Sequence, residues 1–167
     1  MDAPLVRCAI YARKSNQNGL EREYNSIESQ RDSCLNYIES QKSRGFVLLQ
    51  EVYDDPGFTG GDMNRPGFSR LVSDAMAGKV DCIIVYKIDR LSRNMLEALC
   101  LLKLLDDNNV MFRSVTEHFD TTTSHGRLML HNLLSTAEYQ RTQTSERIRD
   151  KIALAKAKGR HCGGTTP

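Results

Sequence analysis

The chain has 167 residues, 40% of them apolar and 26% charged, with a formal net charge of +2. That length supports one well-buried domain with a helical appendage rather than two full cores, and the composition excludes disordered and collagen-like classes. So small a net charge is no argument for nucleic acid by itself, and no apolar stretch is long enough to span a bilayer.

Apolar runs alternate with segments of helical period, which predicts an α/β fold with a mostly parallel central sheet flanked by helices. Leu5 to Ala12 reads as a strand buried on both faces, running into Tyr11-Ala12-Arg13-Lys14-Ser15. Residues 16–25 read as a loop. Asn25 or Ser26 then caps a helix with Ile27, Cys34, Leu35 and Ile38 on one face, ended by Gly45. Phe46 to Tyr53 is the second predicted strand. Asp54-Asp55-Pro56-Gly57-Phe58-Thr59-Gly60-Gly61 predicts an extended loop. Pro66 fits the first turn of a short helix whose inner stripe is Phe68, Leu71, Val72, Ala75 and Met76. Val80 to Val85 is a third strand, followed at its C-terminal end by Asp89-Arg90-Leu91-Ser92-Arg93, where α/β sheets place ligands. A helix from about Asn94 to Asp107, with Leu96, Leu99, Cys100, Lys103 and Leu104 at helical spacing, leads to a fourth strand, Val110 to Val115.

From Gly126 to about Lys158 the pattern is helical without a proline; these 33 residues would extend about 50 Å, more than one core can cover. The apolar first half (Leu128, Leu130, Leu133, Leu134, Ala137) is expected to dock on the domain or on a partner subunit. The polar second half should reach a charged ligand, since Glu138 to Arg160 holds seven Lys/Arg against three Asp/Glu, a surplus of four. The expected layout is a core over 1–125, the long helix over 126–160, and a linker over 161–167. The five cysteines form neither a CxxC pair nor a disulfide framework. Their odd number and the lack of a visible leader fit a reducing cytoplasm. No ligand set for a metal stands out, so no metal and no cofactor is expected.

A serine after a strand is usually a turn residue, and a single surface arginine usually forms a salt bridge. Placement argues otherwise here. Arg13, Arg65, Arg90 and Arg93 fall at the ends of different elements, and a parallel sheet would gather them around Ser15. A hydroxyl among guanidiniums suits attack on a phosphodiester, because fixed cations stabilise the charge that develops on the non-bridging oxygens. Arginine serves better than lysine, since its planar fork binds phosphate bidentately and never titrates. None of the four histidines makes a Ser/His pair, which disfavours a protease or esterase.

Tyr-Ala-Arg-Lys-Ser, Gly-Phe-Thr-Gly-Gly, Asn-Arg-Pro-Gly-Phe, Tyr-Lys-Ile-Asp-Arg-Leu-Ser-Arg-Asn and Ser-Glu-Arg-Ile-Arg follow one another along the chain. In this order they resemble the catalytic domain of serine recombinases, especially the large ones of mobile elements. The resemblance implies that Ser15 is the nucleophile, flanked by Tyr11 and Arg13, with Gln30 on the first helix. It further implies Arg65 after the glycine loop, the Asp89, Arg90 and Arg93 cluster, and an acidic residue after the second strand, Asp55 or alternatively Asp54. On the long helix it implies Arg141 and the Glu146–Arg147 pair, with Arg149 and Lys151 as further DNA-contacting positions. Two departures are a lysine of small resolvases, replaced near Asp74, and Gln140 where many relatives have glutamate. The implied function is site-specific DNA recombination through a 5′-phosphoserine link. The implied partners are double-stranded DNA and further copies of the chain, as a dimer and a synaptic tetramer built on the long helix, with DNA-recognition domains beyond residue 167. The rival expectation is a non-catalytic α/β module that holds phosphate or DNA through its glycine loop, though this loop lacks the GxGxxG and Walker spacings.

Overall fold

The computed structural model describes residues 4–14, 26–56, 65–92, 94–117 and 119–157, and only the backbone of residues 151 and 153–157. Contacts divide the chain into two compact units, Met1–His131 and Asn132–Pro167. The first unit is built on a sheet of five strands, β1 (Val6–Arg13), β2 (Phe46–Leu48), β3 (Tyr53–Asp55), β4 (Cys82–Val85) and β5 (Met111–Ser114). All pairings between them are parallel, in the order β2-β1-β4-β5, with β3 also paired to β1. The α/β expectation and the parallel sheet therefore hold.

Burial on both faces explains the apolar character of the central strands: the last six residues of β1 and all four of β4 are buried. The alternation along β1 divides the work between the faces. Cys8 and Ile10 pack with Cys34 and Ile38 of α1 (Ile27–Ser40), together with Phe46, Cys82 and Ile84. Burial pushes the Cys34 thiol up to about 12, which leaves it an inert core group. Tyr11, on the other face, lies 5.3 Å from the ring of Phe68 on α2 (Pro66–Met76).

Three local differences from the sequence reading matter. The expected single strand Phe46–Tyr53 is two short ones that share the β1 edge: β2 matches Val6–Cys8, and β3 matches Tyr11–Arg13. Exposed Gln50 and Glu51 interrupt the ladder between them. As a result Asp54 and Asp55 end a strand instead of opening a loop, and Asp55 stands in register with Arg13. Second, α1 takes its N-cap from Ser26, whose hydroxyl accepts from the Ser29 N–H at 3.0 Å, but it ends at Ser40. Gly45 closes a separate 3₁₀ turn, Lys42–Arg44, in the left-handed region at φ 84°. Third, α3 (Met95–Asp107) buries Ala98, Leu99, Leu102 and Leu105, so Leu96, Cys100 and Leu104 lie on its exposed side. In α2, likewise, Leu71 and Ala75 are buried whereas Met76 is exposed.

The last helix, α4, runs Ser124–Ala157, starting two residues before the expected Gly126. Its first turns belong to the first unit, where Leu130 is fully buried and His131 Nε2 lies 3.6 Å from Asp106 Oδ2. Leu128 and Met129 are exposed there, and in the second unit so are Leu133, Tyr139, Ile148 and Ile152. Of the apolar first half, expected to dock on the domain or on a partner subunit, Leu130 is buried within the first unit. Thr136, Thr142, Thr144 and Ser145 return their hydroxyls to carbonyls four residues back. Among the described residues no helix is long and apolar enough to cross a membrane.

Gly126 marks a close approach. A Cβ there would sit 1.8 Å from the backbone oxygen of Asp120, and backbone cannot step aside as a side chain can. Gly126→Ala should therefore destabilise the chain by about 3 kcal/mol in denaturant melts, at the upper end of ordinary overpacking; a change below about 0.5 kcal/mol would refute this packing.

Candidate active site

The carboxyl-terminal rim of the sheet collects side chains from five separate segments. Arg13, the last residue of β1, is 2% exposed although it carries a full charge. Its Nη2 donates to the Asp89 carbonyl at 2.8 Å and its Nε to the Arg90 carbonyl at 3.2 Å. Those carbonyls belong to a 3₁₀ turn, Ile88–Arg90, just beyond β4. Arg90 is 3% exposed and reciprocates, donating Nη1 to the Arg13 carbonyl at 3.2 Å. Its guanidinium also pairs with the neighbouring Asp89 carboxylate, Nε to Oδ1 at 3.1 Å, and that carboxylate is half exposed.

Gln30, fully buried on α1, seals the same corner. Its Nε2 donates to the Arg13 carbonyl at 3.1 Å, while its Oε1 accepts from the Arg13 N–H at 3.4 Å. Arg65, the residue before α2, reaches the turn from the other side, donating Nη1 to the carbonyls of Leu91 and, at 3.4 Å, Arg90. Its guanidinium lies 4.5 Å above the Phe68 ring centroid, which fixes its plane. Arg13 and Arg65 thus converge on the turn that carries Arg90.

Asp55 forms the floor beside them. It is fully buried; Oδ1 accepts from the Gly67 N–H at 2.8 Å and Oδ2 from the Phe68 N–H at 2.9 Å. This carboxylate caps α2 from a distant strand, satisfying donors that the helix leaves open and meeting its positive end. The approach needs Gly67, where a Cβ would fall 2.7 Å from the Asp54 carbonyl oxygen. Asp55 Oδ2 also accepts from the Tyr11 hydroxyl at 2.9 Å. Burial, and then that bond, hold the Tyr11 phenol above its ordinary range, so it remains a neutral donor. Of the two aspartates left open by sequence, Asp55 is the one that meets Tyr11; Asp54 pairs with Arg31 at 3.1 Å.

Tyr11, Arg13, Gln30, Asp55, Arg65, Asp89 and Arg90 are therefore brought into one connected network. Ser15, Arg93 and loop 57–64 lie outside the described residues, as do His118 and the expected linker 161–167. Arg141, Glu146, Arg147 and Arg149 are exposed on α4 in the second unit, and the side chain of Lys151 is outside the description. Sequence reading passed over Glu117, whose carboxylate holds the Ile88 N–H at 2.7 Å and so touches the turn from behind. The only advance signal was an acid shortly after a strand end, too common to single out.

A family model described as the resolvase N-terminal domain matches residues 8–161. The DNA-invertase of Enterobacteria phage P7 is 34% identical over 116 residues, 70% of this chain and 60% of the invertase. Serine recombinase gin of Escherichia phage Mu is 33% identical over 118 residues, 71% of this chain and 59% of gin. The chain thus spans less than two thirds of the length of these curated relatives. Among solved structures, the N-terminal catalytic domain of TP901-1 integrase superposes with a TM-score of 0.67 at 31% identity, over 82% of this chain and 98% of that domain. A resolvase-family recombinase from Streptococcus pneumoniae shares the fold, with a TM-score of 0.67 at 24% identity over 92% of this chain and 99% of its own. With the family match covering nearly its whole length, the chain belongs to the resolvase N-terminal domain family, the catalytic domain of serine recombinases.

Proposed function

We propose that the chain is the catalytic domain of a site-specific DNA recombinase in which Ser15 attacks a DNA phosphodiester. The observation that carries this reading is the convergence of Arg13 and Arg65 on the turn after β4 that carries Arg90, with Ser15 two residues beyond Arg13 in the chain. In the reaction the Ser15 oxygen forms a bond to phosphorus as the bond to the 3′-oxygen breaks. The serine loses its proton, the 3′-oxygen gains one, and a 5′-phosphoserine link remains. Charge on the equatorial oxygens peaks in the five-coordinate transition state, where fixed guanidiniums contribute most. The link conserves the phosphodiester, so another strand's 3′-hydroxyl can reverse the step without ATP. Asp55 and Gln30 act by holding the frame: one fixes Tyr11 and α2, the other the carboxyl end of β1.

Exposed Leu128, Met129, Leu133, Tyr139 and Ile148 support self-association through α4, because a helix rarely leaves so much apolar surface in water without a partner. The basic residues Arg141, Arg147 and Arg149 of its later part suit a phosphate backbone and bring steep salt dependence with little sequence readout. On this reading the protein acts in the cytoplasm as dimers that join in a tetrameric synapse. The rival binding module is not favoured by family membership. The test uses random-sequence duplexes, each nicked and 3′-end-labelled, incubated with the chain at low salt and then denatured. A labelled protein–DNA adduct that alkali releases by elimination is expected; absence of any adduct would leave only a binding role.

A further inference from the structure

We infer that Glu117 is a positioning residue for this chemistry: its carboxylate, set by Ser114, fixes the turn that carries Arg90 and on which Arg13 and Arg65 converge. The inference rests on the recombinase reading and adds to it a residue that acts through the turn. A 3₁₀ turn of three residues has few and poorly aligned hydrogen bonds of its own. Here they are Arg90 N–H to the Lys87 carbonyl at 3.1 Å and Leu91 N–H to the Ile88 carbonyl at 2.9 Å. Yet this turn supplies the carbonyls that hold Arg13, and it receives Arg65. Something outside it must define its place.

The segment after β5 does so. Val115 N–H donates to the Val85 carbonyl at 2.9 Å, and Thr116 reaches the Tyr86 carbonyl with its N–H at 3.1 Å and its hydroxyl at 2.8 Å. Glu117 completes the grip: Oε2 accepts the Ile88 N–H at 2.7 Å and the fully buried Ser114 hydroxyl at 2.9 Å. The Ile88 bond is charge-assisted and falls at the first residue of the turn, where open N–H groups attract a carboxylate. One carboxylate thus stands behind all three guanidiniums, at one remove. Loss of this anchor lets the turn drift, and misplacing reacting groups by about 1 Å can cost on the order of 10² in rate.

The test measures adduct formation at saturating duplex for Glu117→Ala, Glu117→Gln and a distant core variant, Ile38→Ala, well below each melting temperature. Arginine side-chain N–H spectra are recorded alongside. Glu117→Ala should slow adduct formation about 30-fold with DNA affinity within twofold, and shift the Arg13 Nε–H resonance. Glu117→Gln, which keeps an acceptor oxygen, should recover most of the rate, and Ile38→Ala should keep it. A Glu117→Ala rate within twofold of the parent, or an equal loss in Ile38→Ala, overturns the Glu117 role alone. Absence of adduct from the parent chain overturns the functional reading and this role with it.

Discussion

Replacing Ser15 by alanine should abolish the covalent DNA adduct, by at least ~10⁴-fold and in practice to background, while circular dichroism and DNA affinity stay at parental values. The substitution deletes the one oxygen that would bond to phosphorus. The ties that build the rim are made by other residues: Arg13 and Arg90 to the turn carbonyls, Asp55 to α2, Gln30 to β1. Other hydroxyls near this rim are already committed. Ser92 donates to Glu97 at 2.8 Å while accepting the Asn94 N–H at 3.1 Å, a local cap, and Ser114 donates to Glu117. Neither is a free nucleophile. Quantification of the 3′-labelled adduct checks this, and an adduct that persists in Ser15→Ala would move the chemistry to another residue.

Much of this arrangement was legible in the sequence because it follows from strand ends. Apolar runs of six to eight residues separated by helical segments dictate a parallel sheet, and that sheet brings Arg13 and the Asp89–Arg90 pair to a single rim. What the sequence does not encode locally is which carbonyls those arginines grip. Two of the arginines expected to gather around Ser15, Arg13 and Arg90, are nearly fully buried and bound to each other's backbones. That outcome depends on a contact between residues 77 apart, invisible to periodicity. The split of β2 from β3 was equally hidden, because Val52 and Tyr53 continue an apolar pattern across exposed Gln50 and Glu51. The split is what sets Asp55 against Arg13 and under Tyr11. On α3 the leucine-rich sequence offers apolar residues to both faces, so spacing alone could not choose between Leu96–Cys100–Leu104 and Ala98–Leu102–Leu105.

Arg13→Ala should lower the rate of adduct formation by about 10²–10³, the usual cost of losing one fixed contact to a developing anion. The same change should destabilise the chain, because the Asp89 and Arg90 carbonyls lose their donors inside the rim. Arg13→Lys separates these effects from simple charge. An ammonium offers its donors from a single nitrogen, whereas the two carbonyls are held at 2.8 and 3.2 Å by different nitrogens of one plane, so lysine should restore the charge but leave the rate at least tenfold low. Arg7→Ala, at the opposite end of the same strand, is the matched control. Arg7 pairs with Asp81 at 2.7 Å on a half-exposed surface, where solvent screens the pair, and its removal should leave adduct formation unchanged. Rates are read at saturating duplex and well below the lowest melting temperature. Parental rates in Arg13→Lys would show that any cation suffices at the end of β1. A loss in Arg7→Ala equal to that in Arg13→Ala would trace the effect to net charge rather than to the rim.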